Sequence, residues 1–87
     1  MLFQVSMTVR IPHDEDSRMV DRLRAEEHER ASELRSQGKW LHVWRVVGKW
    51  ANLSIFDVDS PAELHELVST LPLYPYMDVD VTALCPM

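Results

Sequence analysis

Apolar and polar residues alternate from Leu2 to Arg10, which is the period of a half-buried β-strand. A proline and an acidic cluster end this alternation. The next stretch, from about Arg18 to Gln37, contains no glycine or proline, begins after a capping candidate at Asp16 or Ser17, and stops before Gly38. The pattern predicts a strand followed by a helix of about five turns.

The middle of the chain predicts a β-hairpin. Residues 40–47 and 49–58 are rich in aromatic and β-branched side chains, and Gly48 between them suits a tight turn. A capping box opens at Ser60, and apolar residues then recur at helical spacing as far as Pro72. Alternation resumes from Met77 to Leu84, so we expect a second helix and a fourth strand.

The predicted order β-α-β-β-α-β favours an α+β, ferredoxin-like fold, with a four-stranded antiparallel sheet and both helices on one face. No linker divides residues 1–87, so we expect a single domain. The uncovered face of the sheet would need water or a partner. Trp40, Trp44 and Trp50 favour a partner about as strongly as they favour ordinary core packing.

Composition limits the classes of function. The 87 residues are 46% hydrophobic and 26% charged, as in one small folded domain, and a chain this short gains from assembly. Nine basic against fourteen acidic residues give a net charge of −5, which argues against nucleic acid or anionic lipid as a partner. With no apolar run of membrane-spanning length and no signal sequence at the amino terminus, we expect a cytoplasmic protein and no membrane partner.

Metal and nucleotide sites are not expected. Cys85 is the single cysteine, and the four histidines lack the spacing of metal ligands. Glycine occurs only twice, so the chain has no glycine-rich phosphate loop. The sequence therefore predicts no metal site and no glycine-rich nucleotide site.

The apolar stripe of the first helix contains a carboxylate. At about 100° per residue, four apolar positions fall within about 80° of one another: Val20, Leu23, Ala31 and Leu34. Glu27 lies in the middle of this stripe. Burial raises the pKa of a carboxyl and can turn it into a base that works near neutral pH, so Glu27 is a candidate catalytic residue. Pairing with Arg24, Arg30 or Arg45 would explain the position equally well.

The third predicted strand places polar groups in an aromatic row. Trp50, Asn52 and Ser54 share one face of it. A pocket lined by tryptophan rings, an amide and a carboxyl would suit a small, flat, polar organic molecule, with the amide donating to an oxygen that gains charge. A solvated strand face is the alternative. His28, beside Glu27, could assist proton transfer or lie on the surface.

Five segments are spread along nearly the whole chain: residues 1–9, 24–27, 40–45, 51–58 and 71–78. Their most specific parts are Trp44-Arg45 and Leu71-Pro72-Leu73-Tyr74-Pro75-Tyr76-Met77-Asp78. Together these segments resemble the muconolactone isomerase family. The resemblance implies a ferredoxin-like fold, a small lactone substrate, no cofactor and a role in bacterial catechol or chlorocatechol degradation. It also implies a ring-like homo-oligomer, a decamer in the family, with clefts shared between subunits.

The resemblance also assigns roles. Removal of the C4 ring proton of muconolactone gives a dienolate with charge on the lactone carbonyl oxygen, which requires a base and an oxyanion donor. Glu27 matches the family's base, and Asn52 matches a polar active-site position. We expect the remaining substrate-binding side chains at five positions: His28, Trp50, Ser54, Arg45 and Lys49. The last two, with Lys39 as a further candidate, would bind the exocyclic carboxylate, and a structural role for Arg45 is the alternative.

The fate of the dienolate separates two reactions. Protonation at C2 gives isomerisation, whereas loss of chloride from the adjacent exocyclic carbon of 5-chloromuconolactone gives a dienelactone. This chain has Trp50 where the family usually places tyrosine, and an indole cannot act as an acid. It also stops at Met87, where relatives run on. These departures favour the closely similar 5-chloromuconolactone dehalogenase, with muconolactone delta-isomerase as the alternative.

A more remote alternative is a ferredoxin-like module that binds a ligand without catalysis, since this fold hosts many functions. Such a module would explain the aromatic hairpin. It would have little reason to place an acid such as Glu27 in an apolar stripe.

Overall fold

The computed structural model describes residues 1–87 and contains four strands, two α-helices and a short 3₁₀ turn. The elements are β1 (Leu2–Val9), α1 (Ser17–Ser36), β2 (Trp40–Arg45), β3 (Ala51–Asp57), α2 (Pro61–Ser69), the 3₁₀ turn (Tyr74–Tyr76) and β4 (Met77–Leu84). The strands form one antiparallel sheet in the order β2-β3-β1-β4. Neither helix combines the length and the apolar character that crossing a membrane requires.

The core lies between the sheet and both helices because β1 directs its alternate apolar residues to one side. Phe3, Val5 and Met7 of this central strand are buried. The helix and loop residues that pack with them in one cluster are Leu34, Val58, Leu64, Val68 and Leu71. Burial of each such side chain contributes about 1.5–3 kcal/mol. Both helices therefore cover the same sheet face, which confirms the ferredoxin-like prediction.

Side chains near the chain reversals fix both helices. Asp16 caps α1 by accepting a hydrogen bond from the Arg18 backbone N–H at 2.8 Å, and Ser60 caps α2 by accepting from the Glu63 N–H at 3.1 Å. Gly38 follows α1 with a φ of +74°, a left-handed conformation that favours glycine. The observed start of α1 is within one residue of the predicted start.

The β2–β3 hairpin has shorter strands and a longer turn than the sequence predicts. β2 ends at Arg45 and β3 begins at Ala51, so residues 46–50 connect them. The turn is closed by a hydrogen bond from the Lys49 N–H to the Val46 carbonyl at 3.2 Å, and Gly48 has a φ of +82°. Gly48 does make the tight turn, but its neighbours belong to the turn rather than to the strands.

A β-bulge in β2 separates the tryptophans. The register shifts between Trp40 and His42, so these two residues point to opposite faces of the sheet. Trp40 is buried on the helix side and stacks on Phe56, with ring centroids 4.9 Å apart. Trp44 is 54% exposed on the uncovered face and stacks on His42. Core packing therefore explains Trp40, while Trp44 lies on the face that the helices leave open.

Candidate active site

A cleft lies between α1 and the part of the sheet formed by β2 and β3. It consists of two adjoining cavities of about 310 and 340 Å³ that share six residues. The shared residues are Glu27, Val43, Arg45, Trp50, Asn52 and Leu73. We call the first cavity the apolar chamber; its remaining residues are Val9, Ala51 and Met77. We call the second the basic chamber; its remaining residues are Arg24, His28, Ala31, Ser32, Arg35 and Trp40.

Glu27 reaches the cleft from the apolar stripe of α1, and a backbone group holds its carboxylate. Its Oε1 accepts a hydrogen bond of 2.9 Å from the Leu73 N–H. Leu73 is buried in the turn after α2, where the adjacent turn bonds use the N–H groups of Tyr74 and Tyr76 and leave the Leu73 N–H unused. The turn therefore places a free donor opposite α1, and that donor orients the carboxylate.

Burial sets the proton affinity of Glu27. Loss of water around the half-buried side chain raises the pKa of the carboxyl above its ordinary value, and the Leu73 hydrogen bond opposes part of this shift. None of the four ion pairs in the structure involves Glu27, and Arg30 bonds to Glu33 and Thr70 instead. Pairing with an arginine therefore does not explain this carboxylate, and its second oxygen, Oε2, has no hydrogen-bond partner.

Asn52 faces Glu27 across the cleft, and Ser54 fixes its side-chain amide. The Ser54 hydroxyl, which is 0% exposed, donates to the Asn52 Oδ1 at 2.7 Å. The Asn52 Nδ2 contacts only the Met7 sulfur, at 3.9 Å, and sulfur is a weak acceptor. The amide therefore keeps hydrogen-bond donors available to an oxygen atom in the cleft.

Trp50 forms an aromatic wall of the cleft. The guanidinium carbon of Arg24 lies 4.9 Å from the centroid of its ring, within the range of a cation–π interaction. This contact joins α1 to the hairpin beside the cleft that Glu27 and Asn52 line.

The structure brings five of the seven predicted site residues to one cleft: Glu27, His28, Arg45, Trp50 and Asn52. The other two lie elsewhere. Ser54 is buried behind Asn52 and does not line the cleft, and Lys49 is exposed in the hairpin turn. Lys39, the further carboxylate candidate, bonds to Glu63 at 3.2 Å.

Sequence reasoning missed three contributors. The Leu73 N–H comes from a residue 46 positions away, and its local sequence carries no signal for that contact. Arg24 and Arg35 were not identified as cleft residues. A signal for them was present, because residues eleven apart on a helix differ by only about 20° in direction and both flank the side occupied by Glu27.

The cleft combines a base, a hydrogen-bond donor and a flat apolar wall. Such a set can remove a proton from a carbon conjugated to a carbonyl group while the donor stabilises the oxygen that gains charge. The structure has no group of three or more His, Cys, Asp or Glu side chains placed to hold a metal ion.

Comparison with known proteins finds similar sequences and a similar structure. A family model described as "Muconolactone delta-isomerase" matches residues 1–87. Muconolactone Delta-isomerase 2 of Acinetobacter lwoffii is 52% identical over 85 residues, which are 98% of this chain and 88% of that protein. The Pseudomonas aeruginosa Muconolactone Delta-isomerase is 48% identical over 85 residues, again 98% of this chain and 88% of that protein. A crystal structure of muconolactone isomerase has a TM-score of 0.95 and 47% identity, covering 100% of this chain and 91% of that one.

Proposed function

Because this chain belongs to the muconolactone delta-isomerase family, we propose that it converts muconolactone to the 3-oxoadipate enol-lactone by a 1,3-proton shift. The observation that carries the proposal is the Glu27 carboxylate, which is half-buried in the cleft and oriented by the Leu73 N–H. The relatives described above carry the isomerase name. They support isomerisation over the dehalogenation that the sequence alone favoured.

Glu27 is the general base that abstracts the proton. Its unpaired oxygen, Oε2, takes the proton from C4 of the ring, while Oε1 stays on the Leu73 N–H. The electrons of the C4–H bond form a C3–C4 double bond, the former C2–C3 double bond moves to C1–C2, and the carbonyl oxygen takes the negative charge. The Asn52 amide donates to that oxygen. Its pre-set orientation lowers the cost of forming the dienolate.

Proton return also falls to Glu27. The raised pKa makes its carboxyl a competent acid once it has taken the C4 proton, and the same oxygen can deliver that proton to C2 on the same face of the ring. The C1–C2 π pair forms the new C2–H bond, the oxyanion reforms the carbonyl, and the double bond stays at C3–C4. This route needs no phenol, so Trp50 in place of a tyrosine is compatible with isomerisation. The indole supplies a flat wall for the ring.

Dehalogenation is the second candidate. After the same abstraction from 5-chloromuconolactone, the oxyanion reforms the carbonyl and the C1–C2 π pair returns to C2–C3. The C3–C4 π pair moves to C4–C5, and chloride leaves with the C5–Cl pair. The proton on Glu27 then passes to solvent. Trp50 favours this candidate because its ring offers no acid that could return a proton to carbon.

One experiment distinguishes the isomerase, the dehalogenase and a non-catalytic binding module. Purified protein is mixed with muconolactone and, separately, with its 5-chloro analogue, and the ultraviolet spectrum, the product identity and chloride release are followed. Enol-lactone from muconolactone supports the isomerase. Rapid chloride release with little isomerisation supports the dehalogenase, and no conversion of either substrate refutes both and leaves a binding module. Muconolactone deuterated at C4 tests the single-base route, because direct transfer leaves deuterium at C2 of the product.

We also propose assembly into a homo-oligomer, which the family resemblance suggests as a decamer with clefts between subunits. Support comes from the uncovered sheet face, where the exposed Trp44 lies beside Leu53 and near Ile55. A second copy of the chain is the proposed occupant of this face. Light scattering at micromolar protein tests the proposal, and a stable monomer would overturn it.

A further inference from the structure

Three arginines without acidic partners converge on one part of the cleft. Arg24, Arg35 and Arg45 line the basic chamber, although the protein has only nine lysines and arginines and a net charge of −5. None of the three is in an ion pair or donates a side-chain hydrogen bond to a carboxylate. The ion pairs of the remaining basic side chains lie elsewhere, on Arg10, Arg30 and Lys39. The basic chamber is therefore electrically suited to an anion.

The two chambers differ in the chemistry that they can accept. The residues found only in the apolar chamber are Val9, Ala51 and Met77, whereas arginines and a histidine line the basic chamber. Glu27 and Asn52 lie on the wall that the chambers share. A molecule with an apolar ring and a negative group would place the ring on the apolar side and the charge on the basic side.

Arg24 and Arg45 flank the reacting groups from opposite walls. Arg24 lies one helical turn before Glu27 on α1, and its guanidinium is held over the Trp50 ring. Arg45 is directly opposite Asn52 in the β2–β3 register, so the two side chains share one face of the sheet. Arg35 is eleven residues beyond Arg24, about 16.5 Å along the helix, and adds positive potential at the other end of the basic chamber.

We propose that Arg24 and Arg45 bind the exocyclic carboxylate of the lactone in the basic chamber and so orient C4 toward Glu27. The inference rests on the proposed function, because the lactone carries that carboxylate only two bonds from C4. Arginine suits this task because its planar group can donate two parallel hydrogen bonds to a carboxylate. The two arginines are then determinants of specificity for the free acid over uncharged lactones.

The test compares Arg24→Gln and Arg45→Gln with Arg22→Gln, which alters an exposed arginine on α1 outside both chambers. Substrates are muconolactone and its methyl ester. Each cleft variant is expected to raise KM for the free acid roughly 10- to 100-fold, with a smaller change in kcat, because a hydrogen bond to a charged group is lost. KM for the ester should stay constant, and Arg24→Lys should recover part of the loss.

A free-acid KM that matches the Arg22→Gln control would overturn the inference while the proposed function stands. Should the wild-type protein convert neither lactone, the proposed function fails, and calorimetric titration with muconolactone then tests the anion site alone. Binding weakened by Arg24→Gln and Arg45→Gln but not by Arg22→Gln supports the site. No binding, or equal binding in all variants, overturns it.

Discussion

Replacing Ser54 with alanine should lower activity even though the residue does not reach the cleft. Its hydroxyl donates to the Asn52 Oδ1 at 2.7 Å from a fully buried position and thereby fixes which end of the amide faces the substrate. Loss of this bond leaves the amide free to rotate, so that its oxygen can point at the carbonyl oxygen of the lactone. Because that oxygen becomes negative, the rotated amide would repel it.

The hydrogen bond sets the size of the effect. A neutral hydrogen bond contributes about 0.5–1.5 kcal/mol, so the amide should lose a preference of about that size. We expect kcat to fall roughly 2- to 12-fold with little change in KM. That loss is well below the 100- to 1000-fold typical of removing an oxyanion donor outright, which is the effect expected for Asn52→Ala. The melting temperature should fall by about 2–12 °C, since 1 kcal/mol corresponds to about 4–8 °C in so small a domain.

The assay is steady-state kinetics on muconolactone, with Ser6→Ala as the matched control. Ser6 lies on β1 beside Leu53, on the uncovered face of the sheet, and has no side-chain hydrogen bond to Asn52. A double-mutant cycle gives the decisive result. In an Asn52→Ala background, Ser54→Ala should cost almost nothing further in kcat. An equal cost in both backgrounds would refute the idea that Ser54 acts through Asn52.

Three other predictions follow from the same cleft. Glu27→Gln should lower kcat at least 100-fold, which is the lower end of the range for a general base. The circular dichroism spectrum should stay unchanged, because the glutamine amide oxygen can still accept the hydrogen bond from the Leu73 N–H. Retention of most activity would remove Glu27 from the mechanism. The pKa of Glu27 is raised in the folded state, so folding favours the protonated carboxyl. The stability that this carboxyl contributes is complete below the unfolded-state pKa and is lost as pH rises through the folded-state pKa. Denaturation across that window should show this loss in the wild type but not in Glu27→Gln, whereas kcat/KM should rise with pH. Trp50→Tyr should change the isomerisation kcat by less than about tenfold if Glu27 returns the proton itself; a larger gain would assign that step to the phenol.

Local rules were sufficient to predict the elements of this fold. The cap at Asp16, the capping box at Ser60 and the positive-φ glycines act within a few residues, so the sequence indicates them directly. The apolar alternation from Leu2 to Arg10 predicted β1 as a strand with one buried face. The position of Glu27 within a helical stripe was also visible from spacing alone.

Long-range geometry explains what the sequence could not show. The bulge after Trp40 changes which side chains share a face, and strict alternation would have placed His42 on the same side as Trp40. The hydroxyl of Ser54 suits a substrate-binding residue, but only the packing of the core shows that it is buried behind Asn52. Lys39 likewise has a partner, Glu63, that is 24 residues away.

Because the Glu27 carboxylate is oriented by the backbone N–H of Leu73, its orientation tolerates substitutions at position 73. A main-chain N–H is present whatever side chain occupies position 73, so apolar replacements that fill the same space can accumulate there without misaligning Glu27. Proline is the exception, because it has no N–H to donate. We therefore expect a library of variants at this codon to retain activity for residues of leucine-like shape and to lose it for proline.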